Sequence, residues 1–360
     1  MNWPNPSLSN LLDTQLPIIQ APMAGCDSIA LAIAVSNAGG LGSLACALLT
    51  PQQIREAISQ LRAATANPFN LNFFCHPMPT PSPQTEARWK EILQPYYTEL
   101  NLNITTIPII PLRQPFNTEL CSLMEELRPP VISFHFGLPE AGLCQRLKAC
   151  GIKILSSATT VEEALWLEAH GCDAIIAQGA EAGGHRAMFL TEDLTIQHNL
   201  SILLPQILGA VRIPVIAAGG IATGQDIAEN LQRGAAMVQL GTAYLLCPEA
   251  TVSPLYRQAL QTPHTTTITN LFSGRPARSI LNRLIRELGP ISPNVPAFPL
   301  AAQAISPLRK ASEALGTTDF MQLWAGTAAA QAQALPAAEL TQLLAAEAQQ
   351  SLTTSSSAAS

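Results

Sequence analysis

Residues 153–179 read KILSSATTVEEALWLEAHGCDAIIAQG, and their layout decides the fold. Lys153–Ala158 is a run of strand length. Thr160-Val161-Glu162-Glu163 then opens a helix with capping-box spacing, a hydroxyl followed three residues later by a carboxylate. The helix stops at Gly171, the residue type that tolerates a left-handed C-terminal turn. Ala174–Gly179 is a second apolar run. Two strands joined by a crossover helix run parallel. Both runs are nearly continuous rather than alternating, as parallel strands covered on two faces are.

The same unit repeats in both directions. Ile18–Met23, Leu41–Cys46, Phe69–Phe74 and Val131–Phe136 precede it, and Val215–Gly220 and Met237–Thr242 follow, making eight runs. Thr50-Pro51-Gln52-Gln53 and Thr223-Gly224-Gln225-Asp226 are further helix starts, and Gly39, Gly151 and Gly234 are further stops. Eight strand–helix repeats predict an α/β protein, a (β/α)8 TIM barrel, over a doubly wound open sheet. The barrel is expected over residues 1–242, interrupted at 75–130 by an insertion after strand 3. That insertion opens with a proline-dense stretch and holds an aromatic helix with Trp89, Tyr96 and Tyr97. A C-terminal helical extension over 243–346 is expected to pack on the barrel and form a lid. Residues 347–360, small and polar, are expected to be disordered.

Composition narrows the function. Apolar residues make up 48% of the chain and charged ones 12%, ample for a large core. Nineteen basic against 25 acidic residues give a net charge of −6, which argues against nucleic acid and membrane surfaces as partners. The eight cysteines form no CxxC pair and sit mostly among Ala, Leu and Gly, where a thiol behaves as a small hydrophobe. The start MNWPNPSLSN lacks a basic region followed by an apolar stretch, and residues 28–50 are too interrupted to span a bilayer. A reduced, cytoplasmic enzyme is the expectation. No H-E-x-x-H or Cys/His cluster predicts a metal, and no GxSxG predicts a hydrolase.

In such barrels the working residues lie where strands exit at their C-terminal ends. Strands 7 and 8 exit through Gly219-Gly220 and Leu240-Gly241-Thr242, and strand 6 is followed by Gly183-Gly184. Glycine lets backbone N–H groups approach an anion, so these turns predict a phosphate seat, Thr242 adding a hydroxyl. Gln178, at the end of strand 6, and Asn72, near that of strand 3, are amides able to donate and accept at the pyrimidine edge of an isoalloxazine. Ala21-Pro22-Met23 offers a flat apolar seat. The ensemble predicts FMN, and the missing GxGxxG argues against a tightly held NAD. His135, at the exit of strand 4 among Phe134, Phe136 and Gly137, is the candidate base or donor to an anionic substrate. His185 is a second candidate, or it orders its own loop. His76, His170, His198 and His264 read as loop or surface residues.

PIIQAPMAG (17–25), VISFHFGLP (131–139), AIIAQGAEAGGHR (174–186), IPVIAAGGI (213–221), VQLGT (238–242) and SGRPAR (273–278) together resemble the nitronate monooxygenase family, over roughly residues 14–346. The resemblance implies non-covalent FMN in a (β/α)8 barrel. It also implies oxidation of small anionic alkyl nitronates, such as propionate 3-nitronate, by O2 through a flavin semiquinone, giving a carbonyl compound with nitrite or nitrate. It places FMN contacts at Met23, Asn72, Gln178, Gly183, Gly220, Gln239, Gly241 and Thr242, and the active-site histidine at His135. The chain departs from the family pattern at Thr327, where a glutamine is frequent, and at Phe298, where some members have tyrosine. The alternatives are an FMN-dependent NAD(P)H:quinone or enoyl-thioester reductase on the same barrel, and a non-catalytic flavin binder.

Overall fold

A computed structural model describes residues 3–107 and 110–358. Eight parallel strands form the central sheet: β1 (Ile18–Gln20), β2 (Gly42–Ala45), β3 (Phe69–Phe74), β4 (Val131–His135), β5 (Lys153–Ala158), β6 (Ala174–Gln178), β7 (Val215–Ala218) and β8 (Met237–Leu240). Each pairs with its sequence neighbours, and β1 pairs with β8 in the register Ile18↔Val238. The ring closes between β1 and β2 through a bridge at Ile19↔Leu41. This is the (β/α)8 barrel.

Seven helices alternate with the strands: α1 (Ile29–Asn37), α2 (Pro51–Ala64), α3 (Thr118–Leu127), α4 (Ala141–Ala149), α5 (Val161–Ala169), α6 (Leu200–Ala210) and α7 (Gly224–Gln232). Their starts follow the sequence signals. Thr50 and Gln53 make a reciprocal capping box at α2, as do Thr223 and Asp226 at α7. At α5 the Thr160 hydroxyl accepts from Glu163 N, but the Glu163 carboxylate reaches past the cap to Thr159 N and Oγ1 at 2.7 and 2.8 Å. Its other oxygen accepts from Phe189 N and Leu190 N at 2.6 and 3.2 Å, tying the loop after β6 to this helix.

The eighth helix corrects the expected boundaries. α8 (Ala337–Ala358) packs against α7 and α1 and completes the ring, so the barrel does not end at residue 242. Residues 243–336 are inserted between the eighth strand and its helix. The expectation of disorder over 347–360 is likewise corrected as far as Ala358: the helix runs through, with Ala348 and Leu352 buried. Residues 359–360 lie outside the described residues. A glycine on α7 lets the two helices pack closely. A Cβ on Gly224 of α7 would lie 2.2 Å from the Glu347 Cβ.

The two excursions meet above the C-terminal rim. The insertion helix Pro83–Glu99 buries Trp89, Tyr96 and Tyr97 against Phe272, Ile305 and Phe320 of the extension, and Tyr97 Oη donates to Ala304 O at 2.7 Å. A small antiparallel sheet joins Thr266–Thr269, Ala277–Ile280 and Gly184–His185, so the extension also holds the loop after β6. Among the described residues no helix is long and apolar enough to cross a membrane.

Candidate active site

Inside the barrel, beneath the rim, a polar layer replaces the usual branched aliphatics. Asn70 Nδ2 donates to Ser43 Oγ and Ser133 Oγ at 3.0 and 2.9 Å, and Gln20 Oε1 accepts from Ser43 N at 2.8 Å. Asn72, one step nearer the rim, donates to Ser133 O and Oγ at 3.1 and 3.0 Å, which fixes its amide and leaves Oδ1 as an acceptor.

Above this layer the strand exits surround one cavity. Pro22, Met23, Asn72, His135, Gln178, Gly183, His185, Gly219, Gly220, Gln239, Gly241 and Thr242 all line it, as the sequence reading expected of residues at one rim. Leu240 does not. Its side chain is 1% exposed in the barrel core, and its carbonyl accepts from Ala21 N at 2.8 Å, holding the β1 exit in place.

One end of the cavity is nearly bare backbone. Gly220 has φ 69°, and a Cβ there would sit 3.2 Å from the Glu181 Cβ. A Cβ on Gly183 would lie 2.5 Å from Gly326 N, so this loop requires glycine to pass under the extension. Thr242 Oγ1 accepts from Gly326 N at 3.0 Å and keeps its hydrogen to donate. Among the described residues the backbone N–H groups of Gly219, Gly220, Gly241 and Thr242 find no acceptor within the protein. Free N–H groups at two adjacent strand exits, the second running into a 3-10 turn at Thr242–Tyr244, are donors of the kind that receive an anion. The Oε1 of Gln239 is buried with no hydrogen-bond partner. An acceptor orphaned in this way calls for an external N–H or O–H donor.

The other end is imidazole and aromatic. His135 Nε2 donates to His185 O at 3.2 Å, and Gln178 Nε2 donates to the same carbonyl at 3.0 Å. Gln178 Oε1 accepts from Ala187 N at 2.9 Å, so most of its amide orders the loop, with one N–H and one lone pair left over. His185 Nε2 meets Ser273 Oγ at 2.9 Å. Phe74, Phe136 and Phe298 form an apolar cluster against these rings, Phe298 lying 5.3 Å from His185 and 4.8 Å from His76. His76 is therefore no surface residue. It is 1% exposed, and Nε2 donates to Arg113 O at 3.2 Å. Its proline-dense context suggested a loop, but the loop folds inward over the rim.

Burial sets the charge of this end. Desolvation pushes His135 down to about 3 and His76 to about 4, and holds His185 well below its ordinary range. All three imidazoles are neutral at pH 7. With Nε2–H committed to a carbonyl, His135 keeps its lone pair at Nδ1.

Several lining or supporting residues carry no signal in the sequence. Asp27, just past β1, accepts from Met23 N and Ala45 N at 2.8 Å each, pinning the Pro22–Met23 corner to the β2 exit, and burial raises its carboxyl to about 6. The Arg186 guanidinium is fully buried and donates to Gln178 O, Gly179 O and Gln197 Oε1. Tyr256 and Trp324 come from the extension, and Arg113 from the insertion. Arg186, inside AIIAQGAEAGGHR, and Trp324, in the stretch that holds Thr327, are the exceptions. The rest lie far apart in sequence and are assembled by the two excursions. Of the family departures, Phe298 sits in the aromatic cluster, while Thr327 is held through its N–H to Glu181 O at 3.0 Å with its hydroxyl close to the Gly220 turn.

A family model described as nitronate monooxygenase matches residues 5–347. A nitronate monooxygenase of Pseudomonas aeruginosa is 42% identical over 343 residues, covering 93% of this chain and 97% of that protein. One from Paraburkholderia phytofirmans is 42% identical over 354 residues, covering 96% of each. The solved structure of a nitroalkane oxidase from Streptomyces ansochromogenes superposes with a TM-score of 0.87 at 39% identity, over 96% of this chain and 99% of that one.

Proposed function

The chain belongs to the nitronate monooxygenase family, and from that premise we propose that it oxidises small alkyl nitronates with O2, on non-covalently held FMN, to carbonyl compounds plus nitrite or nitrate. The observation that carries the reading is one cavity with two unlike ends: free backbone N–H groups and the orphaned Gln239 Oε1 at one, uncharged imidazoles at the other.

These residues fit a flavin mononucleotide. The phosphate would take the N–H groups of Gly219, Gly220, Gly241 and Thr242, with Gly183 leaving room beside them. Gln239 Oε1 and Asn72 Oδ1 would accept from the polar edge of the ring, and Pro22 and Met23 would support its face. A bound flavin supplies the electron acceptor and the site of oxygen reaction. The protein's own part is positioning and protection. Asp27 holds the Met23 corner rigid through two backbone N–H groups. Gln178 and His135 converge on the His185 carbonyl, which ties the ring of His135 to the loop that carries His185. Because burial keeps His135, His185 and His76 uncharged, none offers an acidic proton to the carbon of a nitronate. The substrate stays in its anionic, oxidisable form. Phe74, Phe136 and Phe298 keep water from that end. A negative charge bound beside Nδ1 of His135 raises its proton affinity, which lets it take up a proton as the bound charge changes.

The test is an anaerobic titration of the FMN-loaded protein, followed by its visible spectrum, with propionate 3-nitronate and separately with NADH. Spectral change with the nitronate alone is expected. Bleaching by NADH alone would make the protein a nicotinamide-dependent reductase. His135→Asn should keep the protein yellow and lose most nitronate turnover. Full activity in that variant would remove the imidazole from the mechanism. Protein that stays colourless after incubation with FMN would end the cofactor assignment.

A further inference from the structure

The loop that follows β6 is clasped to its own strand from both sides. The Gln178 amide reaches forward to His185 O and Ala187 N. The Arg186 guanidinium reaches back, donating from Nη1 to Gly179 O at 2.6 Å and from Nη2 to Gln178 O at 2.8 Å. Arg186 also donates from Nε and Nη2 to Gln197 Oε1 at 3.0 and 2.9 Å. Gln197 Nε2 in turn donates to Thr159 Oγ1 at 3.1 Å, and that hydroxyl donates to Glu163 Oε2 at 2.8 Å. The other Glu163 oxygen accepts from Phe189 N and Leu190 N. The circuit therefore leaves the β6 exit, crosses to α5 and returns to the same loop.

Arg186 and Glu163 are both fully buried, yet among the described residues neither makes a direct ion pair. Burial, followed by the repulsion of Arg278, brings the guanidinium down to about 10, while Glu181 and Glu163 act in the opposite sense. Buried charges are tolerated when every hydrogen bond around them is met, and removing one member strands the others. Here each donor in the chain from Arg186 to Glu163 points the same way, so no amide or hydroxyl can turn without breaking the next link. The extension grips the outer edge of the loop by pairing Ala277 with His185. Cutting the relay should shift the loop without detaching it.

What the circuit fixes is the His185 carbonyl, which accepts from His135 Nε2 as well as from Gln178. His135 is neutral, so its one ring hydrogen goes to the nitrogen that finds an acceptor. We propose that Arg186 and Glu163 are positioning residues that hold the His185 carbonyl where it keeps His135 in a single tautomer, hydrogen on Nε2 and Nδ1 left as an acceptor. Neither side chain lines the cavity, so both act through the loop. The consequence for turnover rests on the nitronate reading above, whereas the tautomer itself does not.

The experiment uses FMN-loaded protein with isotopically labelled histidine and reads the ring nitrogens by NMR, the His135 signals being assigned by their loss in His135→Asn. The native protein should show one tautomer, with the hydrogen on Nε2. Glu163→Gln keeps the side-chain shape but turns an N–H group against either the Thr159 donors or the loop N–H groups. A share of the molecules should then carry the hydrogen on Nδ1, and nitronate kcat should fall roughly tenfold with KM held within about twofold. Gln197→Met, which cuts the relay between the two charges, should give the same pattern. Gly224→Ala, strained on the far helix α7, should leave the tautomer as in the native protein. An unchanged Nε2–H tautomer in both Glu163→Gln and Gln197→Met overturns the proposal, even where turnover falls. A tautomer change in Gly224→Ala also overturns it, because the shift would then follow from lost stability alone. Should Glu163→Gln fail to fold, Gln197→Met decides. Should the native protein turn over no nitronate, the function reading fails and the ring signals still decide this proposal.

Discussion

Acidification should destabilise this protein well above the pH at which surface carboxylates titrate, and the buried imidazoles set the size of the effect. His135 has a folded value of about 3 and His76 of about 4, against an ordinary 6.5. A depressed histidine contributes stability that is complete above the unfolded value and is lost as pH falls from there towards the folded value. At pH 5 the unfolded chain has protonated both rings and the folded chain neither. At ~1.4 kcal/mol per pH unit, over the ~1.5 units below 6.5, each ring costs about 2 kcal/mol. Asp27 opposes them. Its folded value of about 6 lies above the ordinary 3.8, so its contribution grows as pH falls, returning about 1.4 kcal/mol by pH 5. The net loss between pH 8 and pH 5 is about 3 kcal/mol, to which His185, depressed in the same direction, adds. Urea unfolding at fixed temperature, with midpoint and slope recorded at half-unit intervals, measures it. His135→Asn should reduce the pH-dependent loss by about 2 kcal/mol. A midpoint that is flat or rises on acidification from pH 8 to pH 5 would refute the assignment of neutral, desolvated rings at the rim.

Two further outcomes concern glycines. Gly220→Val adds a branched side chain where φ is 69° and the Glu181 Cβ lies 3.2 Å from the new Cβ, on the phosphate side of the cavity. The purified variant should carry little FMN by absorbance, and full occupancy would contradict the phosphate assignment. Gly224→Ala places a methyl group 2.2 Å from the Glu347 Cβ, so α8 must move away from α7, at a cost of about 1–3 kcal/mol by calorimetry. A variant as stable as the native chain would show that the two helices are not in the described contact.

The barrel was legible because its signals are local. Each strand is a short apolar run, and the glycines read as helix stops at 39, 151, 171 and 234 all adopt positive φ. The rim residues were legible for the same reason: a strand that ends in Gly-Gly or in an isolated imidazole announces its exit. What the sequence hid depends on distant partners. Glu163 reads as half of a capping box, yet its carboxylate is spent on Thr159, Phe189 and Leu190, which no spacing rule anticipates. The tail of α8 looks disordered because its residues are small and polar, while the contacts that order its start, Gly224 of α7 against Glu347 and the burial of Ala348 and Leu352, depend on distant partners. Gln178 reads as a free amide at a strand exit, but the loop it orders, seven to nine residues on, occupies most of it. Asp27 and Arg113 become visible only when the barrel brings β2 beside the β1 exit and the insertion folds back over the rim.

The late position of α8 bears on how the protein comes off the ribosome. During synthesis β8 emerges more than ninety residues before the helix that should cover it. Until α8 is released, the flanks of α1 and α7 that it will cover remain open to water and to other nascent chains. Chaperone demand should therefore last until α8 has emerged. A stop codon after residue 340, which removes the buried Leu344, Ala345, Ala348 and Leu352, should aggregate the whole enzyme rather than trim a dispensable tail.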